Sequence, residues 1–294
     1  MRTQKIGFIG MGLMGTPMSR RLLQAGWPLM VWNRSPEKTA EAAHLGAGVA
    51  GDIATLVHYA DVLMICVTDT AAVEAVVFGP GGIARHARAG QILVDFSSID
   101  PAATRAMAAR LAAECGVSWV DAPVSGGVAG AEQGMLAVMA GGDEAIIDQL
   151  RPLLGVLSQR VTRMGPAGSG QVTKICNQML VSCNVLVMAE VLALAEKAGV
   201  DAAQIPAALK GGFADSIPLQ LTGPRMAERD FEPVKWHVKT LLKDLDMANE
   251  LARTMQSAIP LAGLGAELMR LHAGSGHADK DPSTLITMYT EKNG

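Results

Sequence analysis

The sequence predicts an α/β protein, with a doubly wound parallel sheet followed by an all-α C-terminal domain. Three observations carry that prediction. Short apolar runs alternate with helical patterns up to about residue 164, a glycine-rich turn follows the first run, and beyond it all long helical patterns take over. Length agrees, because 294 residues are long for a single core. The chain is expected to divide into a first domain at 1–164 and a second at 165–294.

The predicted strands are Lys5–Ile9, Leu29–Trp32, Val62–Val67, Gln91–Asp95, Val117–Asp121 and Leu136–Ala140. Their near-continuous apolar character suits strands covered by helices on both faces. The first opens into Gly7-Phe8-Ile9-Gly10-Met11-Gly12-Leu13-Met14-Gly15, a G-x-G-x-x-G sequence. Gly10 lets the chain turn off the strand, Gly12 lets the backbone approach a pyrophosphate, and Gly15 lets the next helix pack close to the sheet. Free N–H groups at that helix start, and its positive dipole, favour phosphates. Met18, Leu22 and Leu23 supply the helical pattern that follows, so the turn reads as the dinucleotide loop of a Rossmann-type sheet. Gly10, Met11, Gly12, Leu13, Met14 and Gly15 are its expected cofactor contacts.

The end of the second strand bears on which dinucleotide. An NAD site usually places Asp or Glu about 20 residues past the glycines, to accept from the ribose. Here the chain reads Asn33-Arg34-Ser35. No carboxylate stands there to repel a 2′-phosphate, and a guanidinium and a hydroxyl are present to meet one. NADP is therefore expected as the preferred cofactor, with NAD the weaker alternative. Ligands of such sheets bind beyond the carboxyl ends of the strands, which adds Val67-Thr68 and Ser97-Ser98 as crevice residues. Ser97-Ser98 equally suits a helix N-cap ahead of Pro101.

After Gly165-Pro166-Ala167-Gly168-Ser169-Gly170 a helix is expected from about Gln171 to Lys197, roughly 40 Å long at about 1.5 Å per residue. Further helices are expected near Ala202–Lys210, Leu219–Ala227, Val234–Gln256 and Pro260–Ala273. The apolar stretch from Ile175 to Ala195 is interrupted by Asn177, Gln178, Asn184 and Glu190, so it reads as a helix buried between domains or subunits and not as a membrane span. A content of 49% hydrophobic and 18% charged residues marks a packed globular protein, and a net charge of -3 offers no basic field for nucleic acid. The four cysteines have no metal-ligand spacing and the six histidines no HExxH, so no metal site is expected. With a strand opening the chain and no leader pattern, the expectation is a soluble cytoplasmic protein with reduced thiols.

Two places stand out for chemistry. Lys174 falls in the first turns of the long apolar helix, with Asn177 and Gln178 on the same face. A lysine in a desolvated cleft beside a helix start has its pKa lowered toward the range useful for general acid–base catalysis; a snorkelling lysine gives the same pattern. The other place is Asp121-Ala122-Pro123-Val124-Ser125-Gly126-Gly127. There two adjacent glycines expose successive N–H groups able to cradle a carboxylate, or simply form a flexible loop.

These residues resemble the β-hydroxyacid dehydrogenase family, which includes 3-hydroxyisobutyrate dehydrogenases and tartronate semialdehyde (2-hydroxy-3-oxopropionate) reductases. The likeness rests on the first glycine turn with Pro17-Met18, on Asp121–Gly127 continuing through Gly130-Ala131 to Gly134, on Gly168-Ser169-Gly170-Gln171-Val172-Thr173-Lys174-Ile175-Cys176-Asn177-Gln178, and on Lys243-Asp244-Leu245. The tail Gly276–Asp281 is similar to the reductase branch. The resemblance implies Lys174 as catalytic lysine, Ser125, Gly126 and Gly127 as the holders of a substrate carboxylate, and Asn177 as a substrate-orienting residue. It implies Ser98 and Lys243 as cofactor contacts and dimers or tetramers as the assembly. Asn33-Arg34 departs from the acidic residue of NAD-preferring reductases, which bears on the cofactor and not on the reaction class.

The reaction so implied is hydride transfer between NADP and a short 3-hydroxy carboxylate or its semialdehyde, without metal or nucleic acid. A non-catalytic NADP-binding regulatory protein, an imine-reductase-like enzyme and a decarboxylating relative stay open as alternatives.

Overall fold

The computed structural model describes residues 4–290, so the outer limits of the two predicted domains lie outside the described residues. The described residues form two compact units that divide after Lys174.

The first unit opens with β1 (Ile6–Ile9), α1 (Gly15–Gln24), β2 (Leu29–Trp32), α2 (Ala40–His44), β3 (Gly48–Val49), α3 (Ile53–Tyr59) and β4 (Val62–Ile65). It continues with α4 (Thr70–Phe78), β5 (Ile92–Asp95), α5 (Pro101–Cys115), β6 (Ser118–Asp121), β7 (Val124–Ser125) and α6 (Gly127–Gln133). β8 (Leu136–Gly141), α7 (Glu144–Leu154) and β9 (Ser158–Gly165) close the sheet, and α8 (Ser169–Lys197) leads out of the unit. Nine strands form one sheet in the order β3-β2-β1-β4-β5-β6-β8-β7, with β9 on β8. Strands β1 to β6 pair in parallel, as predicted.

Alternation along these strands feeds two apolar layers, because successive side chains leave opposite faces. Val62 and Met64 pack with Phe8, Met18, Leu22 and Val94. Leu63 and Ile65 pack with Leu56, Val73, Leu93 and Leu111. Both faces are therefore covered by helices, which is why the strands read as continuous apolar runs.

The sheet is not parallel throughout. β8 runs antiparallel to β6, meeting it at Asp121↔Gly141, and β7 pairs antiparallel with β8 through Val124↔Val138 and Ser125↔Ala137. The sequence did not announce β3, β7 or β9. Two-residue strands carry no period, and the runs of adjacent exposed polar side chains in β9 (Gln159-Arg160 and Thr162-Arg163) leave it without the alternation that marks a strand.

In the second unit, α8 runs on into α9 (Ile205–Leu209), α10 (Ile217–Glu228), α11 (Val238–Met255), α12 (Pro260–His272) and α13 (Thr287–Thr290). The predicted helix at Ala202–Lys210 is a short 3₁₀ turn followed by α9. Val185, Leu186, Ala189 and Leu192 of α8 form a core with Leu219, Met226, Leu241, Leu245, Ala266 and Met269.

Asp95 closes β5 with no exposed surface, and its Oδ2 has no hydrogen-bond partner. Burial pushes its carboxyl up to about 7, with the neighbouring Asp121 carboxyl adding to the effect against hydrogen bonds from Ser97. A folded acid with a raised pKa holds a proton that the unfolded chain has lost. Its stabilising contribution is therefore full at low pH and falls as pH rises from about 4 to about 7. Asp95→Asn should leave melting near wild type at about pH 5 and raise Tm by several degrees at about pH 8. Calorimetry across that range checks it, and an unchanged slope of Tm against pH contradicts the assignment.

Candidate active site

The glycine turn behaves as its spacing requires. Gly10 adopts φ +101°, and a Cβ there would lie 2.2 Å from the Cys66 carbonyl oxygen. A Cβ on Gly15 would lie 1.9 Å from the Gly10 carbonyl oxygen and 3.1 Å from the Phe8 ring, so only glycine lets α1 start that close to β1. Around Gly12 a Cβ would meet nothing within 4 Å. Open space there is what a pyrophosphate needs.

The helix starts add a contrast. Asp52, Asp69, Asp100 and Asp143 cap α3, α4, α5 and α7 by accepting from backbone N–H groups of their first turns. α1 follows Met14 at its N-cap position with no side-chain cap and no acid in its first turn. Thr16 N–H donates to the Gly12 carbonyl at 3.0 Å and Pro17 carries no N–H, so the positive end of α1 is closed by backbone alone and no side chain stands in front of it. The residues present thus fit a dinucleotide phosphate. Met11 is buried, Gly12 and Leu13 are exposed and Met14 is half-buried.

At the end of β2, Asn33 Oδ1 accepts from Met11 N–H at 2.9 Å and Asn33 Nδ2 donates to the Ser35 carbonyl at 2.9 Å. Asn33 thereby ties the glycine turn to the second strand. Arg34 next to it is exposed and Ser35 half-exposed. Ser97 Oγ accepts from Val67 N–H at 3.0 Å, joining the ends of β4 and β5, while Thr68 Oγ1 donates to Asp69. Asp100, and not Ser97 or Ser98, caps α5, since its carboxylate reaches Ala103 N–H. Ser98 is half-buried between these joints.

Asp121, fully buried, ends β6 and accepts from Gly168 N–H at 2.7 Å and Gln171 N–H at 3.0 Å. Burial raises its pKa and those backbone donors oppose the shift. Gln171 returns its side chain to the β5 end, donating to the Ser97 carbonyl at 2.8 Å and accepting from Ile99 N–H at 3.2 Å. Lys174 follows three residues later and is half-buried. Ser125 is held by the β7–β8 pairing. Gly126 at φ +130° and Gly127 at φ +61° occupy backbone conformations that favour glycine, and a Cβ on Gly127 would meet nothing within 4 Å. Asp121 and Gln171 stand inside two of the quoted motifs without a role read from them. The available signal was a carboxylate closing an apolar strand, where burial demands partners.

In the second unit, Asn177 Nδ2 donates to Gln178 Oε1, and Gln178 Nε2 donates to Asp244 Oδ2. Lys243 is exposed, with its ammonium 3.8 Å from the Asp244 carboxylate. Among the described residues no three His, Cys, Asp or Glu side chains cluster so as to hold a metal ion.

Two family models match the chain. One is the NAD-binding domain of 6-phosphogluconate dehydrogenase, over residues 5–165, and the other is the NAD-binding domain of NADP-dependent 3-hydroxyisobutyrate dehydrogenase, over residues 168–289. The 2-hydroxy-3-oxopropionate reductase of Escherichia coli is 38% identical over 282 residues, 96% of each chain. The NAD-dependent L-serine dehydrogenase of Pseudomonas aeruginosa is 31% identical, over 99% of each. A solved structure of Mycobacterium tuberculosis 3-hydroxyisobutyrate dehydrogenase with L-serine superposes with a TM-score of 0.88 at 29% identity, covering 98% of this chain and 100% of that one.

The two glycines of the turn should separate folding from binding. Gly15→Ala, with its backbone clash, should lower Tm by several degrees. Gly12→Ala should leave Tm within about a degree and weaken dinucleotide binding, as read by cofactor fluorescence titration beside a thermal melt. Equal Tm losses in both variants would contradict the open space at Gly12.

Proposed function

Because the chain belongs to the β-hydroxyacid dehydrogenase family, we propose that it is an NADP-preferring oxidoreductase that interconverts a short 3-hydroxy carboxylate and its semialdehyde, with Lys174 as general acid–base. The observation that carries this reading is the anchoring of the Lys174 helix start to Asp121, four residues ahead of the Ser125–Gly127 loop. Half-buried Lys174 and the two-glycine loop thereby issue from one joint. NADP, when bound, supplies or accepts the hydride. Gly10 to Gly15 and the uncapped start of α1 would hold its pyrophosphate, Val67, Thr68 and Ser98 would line its crevice, and Lys243 would add a contact. Arg34, with Ser35, would meet its 2′-phosphate.

In the reductive direction Lys174 Nζ polarises the carbonyl and gives a proton to the developing alkoxide oxygen; in the oxidative direction it takes that proton back. Ser125 and the N–H groups of Gly126 and Gly127 hold the substrate carboxylate and so fix distance and angle. Asn177, one helical turn beyond Lys174, orients the hydroxyl end. The relatives' names span 2-hydroxy-3-oxopropionate, 3-hydroxyisobutyrate and L-serine, all small carboxylates with an oxygen one carbon beyond the α position.

Assembly is read from α8, whose Leu180, Val187, Val191 and Leu194 lie exposed on a helix long and apolar enough to cross a membrane. Polar Asn177, Asn184 and Glu190 on the same helix favour burial against a second copy, giving a homodimer or homotetramer. The four cysteines are free, which suits a reducing cytoplasm. Light scattering should show a dimer or larger, and a monomer at micromolar concentration contradicts the assembly.

Lys174→Ala should lower kcat by about 10²–10⁴ while the cofactor Kd changes little, because the side chain acts on the carbonyl. A panel of tartronate semialdehyde, 3-hydroxyisobutyrate and L-serine with both cofactors finds the substrate on which to measure it. Retention of more than about a tenth of wild-type kcat removes Lys174 from the reaction.

Arg34→Ala should weaken NADP selectively, by about 10- to 100-fold in kcat/KM, since a charge-assisted contact is worth roughly 1.5–3 kcal/mol. NAD should be nearly unaffected. Wild-type preference for NAD, or equal losses with both cofactors, makes Arg34 an ordinary loop residue.

A further inference from the structure

Asp121 is costly where it stands. It follows the core residues Trp119 and Val120 on β6, is sealed from water, and lies beside a second buried acid, Asp95, its register partner on β5. Neither sheet pairing nor apolar packing requires a carboxylate there. Each of its oxygens receives a backbone N–H from the α8 start, Gly168 on Oδ1 and Gln171 on Oδ2.

The space around it is shaped for that purpose. A Cβ on Gly141 would come within 2.6 Å of Asp121 Oδ1, and one on Gly170 within 2.8 Å of Oδ2 and 2.4 Å of the Met139 carbonyl oxygen. Gly168 holds φ +88°. Three glycines therefore let β6, β8 and the helix start close around one carboxylate. Gln171, buried like Asp121, then spends both atoms of its side-chain amide on the segment after β5, at the Ser97 carbonyl and Ile99 N–H. That segment carries Ser98. Asp121 leads to Ser125–Gly127, and Gln171 lies close to one helical turn before Lys174.

We infer that Asp121 and Gln171 are positioning residues: together they fix the first turn of α8 against the ends of β5 and β6, and so set Lys174 at its working place relative to Ser98 and the Ser125–Gly127 loop. Both carboxylate oxygens and both amide atoms are spent on backbone groups, so their action passes through the groups they hold. The inference rests on the proposed role of Lys174. A displacement of about 1 Å in a catalytic group costs on the order of 100-fold in rate. Asp121→Asn presents an NH₂ to one of two backbone N–H donors, and Gln171→Leu leaves the Ser97 carbonyl and Ile99 N–H without their partner.

The test is a pair of double-mutant cycles with Lys174→Ala, run on whichever of tartronate semialdehyde and 3-hydroxyisobutyrate wild type turns over faster. Asp121→Asn and Gln171→Leu should each lower kcat by about 10- to 100-fold, with the Kd of NADP changing by less than about threefold. The primary deuterium isotope effect on kcat should rise as hydride transfer becomes slower than product release. In the Lys174→Ala background the same substitutions should cost less than about threefold, because the group they position is gone. Losses that multiply with that of Lys174→Ala, or that fall wholly on cofactor Kd, overturn the inference and leave the lysine's role standing. Full activity in Lys174→Ala alone overturns both readings. If only one positioning variant folds, its cycle decides; if neither folds, the pair is structural and the inference fails.

Discussion

The carboxylate of Asp121, sealed beneath the sheet's carboxyl edge, is the constraint around which the first unit is arranged. A buried charge is tolerated only when its oxygens are hydrogen-bonded, and here the donors are the first N–H groups of a helix whose dipole favours an anion. That single demand accounts for sequence features far apart in the chain. Gly141 and Gly170 lack side chains because a Cβ would strike the carboxylate, and Gly168 turns back with φ +88° to present its N–H. It also bears on Asp95: two neighbouring carboxyls in one dry layer do not both ionise easily. The one with an orphaned oxygen has the pKa raised to about 7.

Helix starts along the sheet are satisfied in different ways. Where α3, α4, α5 and α7 leave the sheet, an aspartate of the chain occupies the positive end. At α1 the chain supplies none, and the backbone is opened instead at Gly12. Capping a helix contributes about 1 kcal/mol, so its omission at α1 forgoes a modest local stabilisation. An outside anion recovers that term on binding. The start of α8 is a third case, capped from a distance of about fifty residues by Asp121.

How much of this was legible follows the range of the interaction involved. β2 occupies the predicted residues, and β1, β4, β5 and β6 fall within one or two residues of theirs, because burial on both faces writes itself as a continuous apolar run. The G-x-G-x-x-G turn was legible because Gly10 and Gly15 answer local steric demands while Gly12 leaves open space. Strand direction was not. β8 is as apolar as its parallel neighbours, and only its pairing with Asp121 and Ser125 shows that it runs the other way. Nor could the cap of α5 be told among Ser97, Ser98 and Asp100, all short polar residues ahead of Pro101. Asn33 was legible as an uncharged residue at the cofactor end of β2, but its bond to Met11 N–H spans 22 positions and appears only once β1 and β2 pair. Gln171 reaches Ile99 and Ser97 across 72 and 74 positions, beyond any local pattern.

Strand order also separates two kinds of recognition that the proposed reaction requires. β2, which leads into Asn33-Arg34-Ser35, stands four strand intervals from β6, which leads to Ser125–Gly127. At about 4.8 Å per interval that is roughly 19 Å across the sheet, a span suited to an extended dinucleotide and too long for one side chain to bridge. Arg34, the proposed partner of a 2′-phosphate, therefore stands apart from the loop proposed to hold a substrate carboxylate. Coupling between them would have to pass through β1, β4 and β5, which lie between the two strands. The residues proposed to set cofactor preference and substrate choice thus sit at separate strands of the sheet. The names of the similar dehydrogenases, which carry serine, 3-hydroxyisobutyrate and 2-hydroxy-3-oxopropionate and both NAD and NADP, accord with that separation.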